Sequence, residues 1–143
     1  MNRYTAIAAA AACLCAAAAA AQSVAVRNLL PAGAFEVANS GPETSLATKM
    51  RVQRWTNGAW SDEASDLQLV RACNPPAPAA CITIKAGETL RPPHWNGLSC
   101  GSQCAAACRG NMMLPPGTFR FVVSACTGGS EVVGQAFDMA QTR

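Results

Sequence analysis

The chain has 143 residues, half of them hydrophobic but only 6% aromatic, and its eleven basic and eight acidic residues give a formal net charge of +3. Neither sign forms a run, so the basic stripe expected of a nucleic-acid-binding surface is absent. With a single histidine, the chain also lacks the histidine pair of a zinc protease.

The first element is a leader. Arg3 precedes an uncharged apolar run from Ala6 to Ala21 that ends in Ala19-Ala20-Ala21 before Gln22. At about 16 residues the run is shorter than the roughly 20 needed to span a bilayer, and the small residues at its end suit a signal peptidase. Cleavage after Ala21 is therefore expected, giving a signal peptide over 1–21 and a single domain over 22–143. The mature part keeps ten basic residues, since Arg3 is lost, against eight acidic ones, a net charge of +2. It has no second apolar run long enough to span a membrane, and the expected location is the periplasm or the medium.

Short β-type runs separated by turn residues follow. Strands are expected over 24–29, 34–38, 49–55, 59–61, 66–72, 81–85, 118–126 and 131–139. In the strand over 118–126, Phe119, Phe121 and Val123 alternate with Thr118, Arg120 and Ser124, the period of a half-buried strand. Between Trp55 and Trp60 lies Thr56-Asn57-Gly58-Ala59, whose Asn-Gly predicts a type I′ hairpin with Trp55 opposite Trp60. Such a pair forms either a structural contact or an exposed aromatic platform. The acidic residues Asp62, Glu63 and Asp66 read as a solvated loop after this hairpin.

Six cysteines remain after the leader: Cys73, Cys81, Cys100, Cys104, Cys108 and Cys126. An even set in an exported chain predicts disulfides. Cys100, Cys104 and Cys108 recur every fourth residue and fall on one face of a short helix expected over 100–109, with Ser99 at its N-cap and Gly110 just beyond its end. Neighbours on one helix face seldom satisfy disulfide geometry, so these three are expected to bond outwards. A set of bonds that closes Cys73 to Cys81 around a proline-rich loop, and a set running wholly between the helix and the other three cysteines, both remain open.

The frame from Cys81 to Cys126 runs Ile82-Thr83-Ile84, Gly87-Glu88-Thr89-Leu90, His94-Trp95-Asn96-Gly97, then Leu114-Pro115-Pro116-Gly117-Thr118-Phe119-Arg120-Phe121. This order of strand, Gly-Glu turn, Trp-x-Gly element and Pro-Gly turn resembles bacterial immunoglobulin-like domains of the intracellular proteinase inhibitor (BsuPI) type. The resemblance covers about a third of the mature chain and rests on turns and core aromatics, so it implies a fold more than a function. With the many short strands it implies an all-β, immunoglobulin-like Greek-key β-sandwich, disulfide-stapled, with one inserted cysteine-bearing helix.

A metal reading competes for the cysteine stretch. Cys100-x3-Cys104-x3-Cys108-x3-Met112 resembles the ligand loop of binuclear copper centres in cupredoxin domains, but Cys108 stands in place of the histidine and Asn111 in place of the methionine. Met112, Met113 and His94 are further soft or borderline donors. Thiol redox chemistry would call for Cys-x-x-Cys beside a βαβ unit, and neither is present. The expected function is thus that of an exported, non-catalytic module without a cofactor that binds another protein or a cell-surface component, protease inhibition included. The expected contact surface comprises Trp55, Trp60, His94 and Trp95. The alternative is a periplasmic copper-binding domain using Cys, Met and His ligands.

Overall fold

The structure, a computed structural model, describes residues 23–70, 79–99 and 112–140. Ten strands form in chain order: β1 Val24–Asn28, β2 Phe35–Asn39, β3 Thr44–Ala47, β4 Lys49–Thr56, β5 Ala59–Gln68, β6 Cys81–Ile84, β7 Thr89–Leu90, β8 Gly117–Ser124, β9 Glu131–Val133 and β10 Phe137–Met139. All pairings between them are antiparallel. The expected leader, the expected helix and Cys73, Cys100, Cys104 and Cys108 lie outside the described residues, and no helix occurs within the described ones.

One layer has the order β1-β2-β7, the other β10-β8-β4-β5 with β9 also on β8. Alternation along β8 buries Phe119, Phe121 and Val123, as the sequence period requires, and β1 and β2 of the other layer bury Val24, Val26, Phe35 and Val37. The layers meet where Phe35 stacks on Phe121 at 4.2 Å between ring centroids. Val122 departs from the alternation: it is buried on the opposite face, in register between Arg51 and Val133.

The expected strand over 131–139 is interrupted. Val133 lies opposite Val122 and Phe137 opposite Phe119, so four residues of the edge strand advance against three of β8. That one-residue bulge changes the phase of the alternation, which lets both Val132 and Phe137 face the core. Gly134 fits in the bulge and donates its N–H to Phe121 O at 2.8 Å.

β3 and β6 form a separate two-stranded ribbon. It is attached to β8 by the Leu46–Ala125 bridge and by the Cys126 N–H bonded to Ser45 O at 2.9 Å. It is attached to β2 by Asn39, a 2% exposed residue whose Nδ2 donates to Pro42 O at 2.7 Å and to Ile84 O and Lys85 O at 3.2 Å each. A disulfide joins Cys81 to Cys126, 6.2 Å apart at Cα, across the end of β3. Neither pairing set expected from the sequence contains this bond. Both paired Cys126 with the helix, because the sequence gives no sign that the ribbon lies beside the end of β8.

Candidate functional site

The outer face of the β10-β8-β4-β5 sheet is built up from the β4–β5 hairpin. Asn57 and Gly58 have φ of 53° and 81°, the left-handed values of a type I′ turn, and Asn and Gly are the residues that adopt them at least cost. Thr56 therefore opposes Ala59 and Trp55 opposes Trp60, whose rings meet edge to face at 5.2 Å. Trp55 is 47% exposed. From β8 the Arg120 guanidinium lies over the Trp60 ring, 4.2 Å from its centroid.

A line of polar side chains continues from that stack. Arg120 donates through Nε to Gln53 Oε1 at 2.8 Å, and Gln53 Nε2 donates to Asp62 Oδ1 at 2.9 Å. Arg51 donates to both Asp62 oxygens and is paired with Glu131 on β9. The amide of Gln53 holds the Asp62 carboxyl below its ordinary pKa, opposed by burial and aided by the Arg51 guanidinium. Asp62, Glu63 and Asp66 thus belong to β5 and not to a loop. For Asp62 the cross-strand partners Arg51 and Gln53 make a strand position acceptable to a carboxylate. Arg120 and Gln53 were absent from the residues expected at the surface. Their place beside the tryptophans follows only from the neighbouring of β4 and β8, which sequence spacing does not encode.

His94 and Trp95 lie elsewhere, on the segment between β7 and β8. Trp95 is fully buried. Its indole Nε1 donates to Leu98 O at 2.9 Å, and its ring meets Phe119 edge to face at 5.1 Å and Phe137 at 6.4 Å. The expectation that Trp95 belongs to a contact surface is therefore corrected: a large apolar ring with a nearby acceptor for its single donor is best accommodated in the core. Trp95 fixes its neighbours His94 and Asn96, which line a pocket of about 350 Å³ at this end of the molecule with Met113, Leu114 and Met139. His94 is exposed, with Nε2 2.9 Å from Ala32 O.

The structure thus brings Trp55 and Trp60 together and sets His94 and Trp95 apart from them. Among the described residues no three of His, Cys, Asp and Glu converge as metal ligands. No helix of the described residues is long and apolar enough to cross a membrane. No family model, no curated protein and no solved structure matches this chain.

Proposed function

We propose that the protein is an exported, non-catalytic binding module of immunoglobulin-like, Greek-key type, and that it contacts a protein or cell-surface partner through the outer face around Trp55, Trp60 and Arg120. The observation that carries this reading is the half-exposed Trp55 packed on Trp60, itself stacked under Arg120. Tryptophan and arginine are the residue types that most often anchor interfaces, and here their geometry is set before any partner arrives, so little side-chain entropy is lost on contact. Gln53, Asp62 and Arg51 supply the polar rim that surrounds such anchors. Two antiparallel layers around one core support the sandwich architecture, and the Cys81–Cys126 bond fits an oxidising compartment.

Site-specific photo-crosslinking on the producing cells tests the proposal. A photoreactive residue in place of Trp55 should yield discrete adducts, whereas the same residue in place of Lys85, on β6–β7, should not. Equal labelling from both positions, or none from position 55, would overturn the surface assignment. The inhibitor version requires inhibition of a secreted serine or cysteine protease at about micromolar concentration, weakened by Trp55→Ala. A panel without any inhibited protease would remove it.

A further inference from the structure

The pocket beside Trp95 has a donor set that the outer face lacks. Gly97 has φ of +86°, and a Cβ placed on it would stand 3.0 Å from Met139 Sδ and 3.1 Å from Met113 Sδ. The two sulfurs are therefore within about 6 Å of one another, and a small rotation of an unbranched thioether chain brings them to the roughly 4 Å spanned by two sulfur ligands on one ion. A Cβ on Gly33 would likewise meet the Met139 methyl at 2.9 Å and His94 Nε2 at 3.1 Å, so the imidazole nitrogen lies within about 6 Å of the same methionine.

We propose that this pocket binds one soft monovalent metal ion of the Cu(I) type, with Met113 Sδ, Met139 Sδ and His94 Nε2 as ligands. Thioether and imidazole donors select such an ion, and the pocket lining includes no carboxylate for a hard cation. His94 Nε2 now faces Ala32 O, which only accepts, so this nitrogen carries the ring proton. On binding, the proton moves to Nδ1 and the Nε2 lone pair turns to the metal, with no electron transferred. Met113 is 46% exposed and Met139 only partly buried, so both side chains are reachable from solvent. Met50, at 1% exposure, is by contrast a core residue.

The test uses the exported protein labelled with 13C at the methionine methyl groups, titrated with Ag(I) as a redox-inert stand-in in chloride-free buffer. The Met113 and Met139 signals should shift and saturate at one equivalent while Met50 stays unmoved. In competition with a chromophoric Cu(I) chelator, Met113→Leu and Met139→Leu should each weaken binding by about tenfold or more, and His94→Ala should weaken it as well. Absence of the paired methyl shifts would overturn the proposal, as would undiminished affinity in the double leucine variant, which would place the metal on other donors. The leucine changes nearly conserve volume, and should either fail to fold, the titration of the unaltered chain decides by itself.

Discussion

Replacing Trp95 separates a core role from a surface role. In Trp95→Ala, the lost ring leaves a cavity against Phe119, Phe121 and Phe137. Such truncations cost about 3–5 kcal/mol, and the Leu98 carbonyl, deprived of its indole donor, adds about 1 kcal/mol. Against a typical domain stability of about 5–15 kcal/mol, the variant should be close to unfolding at room temperature. Trp95→Phe keeps a ring against Phe119 but loses the donor and some volume, so a loss of about 2 kcal/mol is expected. Urea unfolding followed by far-UV circular dichroism measures both. Hydrogen exchange adds a local readout in the phenylalanine variant. The Leu114 N–H, bonded to Gly97 O, and the Trp95-position N–H, bonded to Gly33 O, should exchange faster relative to the β4–β8 amides. A residue on an exposed surface would instead change stability by no more than about 0.5 kcal/mol. A loss under about 1 kcal/mol in Trp95→Ala would therefore refute the core assignment.

Asn39→Asp sets a carboxylate against the carbonyl oxygens of Pro42, Ile84 and Lys85, and should cost about 3–5 kcal/mol at pH 7. Because burial raises the folded-state pKa of the new carboxyl above its unfolded value, the penalty should shrink relative to the unaltered chain as pH falls towards about 4.5. A pH-independent loss in urea unfolding would contradict this. Removing the disulfide by Cys81→Ala with Cys126→Ala releases a loop with a sequence separation of 45 and should cost about 2–4 kcal/mol. Thermal unfolding should then fall by about 10 °C, and a change under about 3 °C would show that the bond constrains little. Asp62 has a depressed carboxyl pKa, so its contribution is present above about pH 4 and is lost as pH falls through the lower folded-state value. With the side chain half exposed, that contribution stays under about 1 kcal/mol. Carboxyl NMR should show Asp62 titrating below the ordinary 3.8, with Gln53→Ala moving it upward, and titration at or above that value would refute the cross-strand account.

Local chemistry was legible where it decides structure within a few residues. Asn57-Gly58 admits the positive φ pair of a type I′ turn, and the turn alone then sets Trp55 opposite Trp60. The alternation of Phe119, Phe121 and Val123 likewise gave the buried face of β8. Short elements were not legible. β3 has a single buried apolar residue, Leu46, among Thr44, Ser45 and Ala47, and β7 has only two residues, so neither carries a period. The bulge between β9 and β10 was hidden for a related reason: Val132 and Phe137 are five residues apart, which a regular strand would place on opposite faces.

What the sequence withholds is the neighbourhood of distant strands, and the candidate sites depend on it. Arg120 reaches Trp60 because β4 lies between β8 and β5 and the guanidinium extends past Gln53. Met113 and Met139 approach Gly97 because the bridge from Met113 to Leu98 brings the approach to β8 beside the Trp95 segment, while β10 pairs with the start of β8. In both places a strand pairing made for the backbone also juxtaposes side chains far apart in the chain, and it is these juxtapositions that carry chemistry. Trp95 shows the same dependence from the other side. Trp95 was expected at the contact surface, but the aromatic core formed by β8 and β10 gives its ring a better environment than water, and the Leu98 carbonyl meets its only polar need. Burying it leaves the outer face and the methionine pocket as independent surfaces, so Trp55→Ala should leave the Ag(I)-induced shifts of Met113 and Met139 unchanged, and a loss of those shifts would show that the two are coupled.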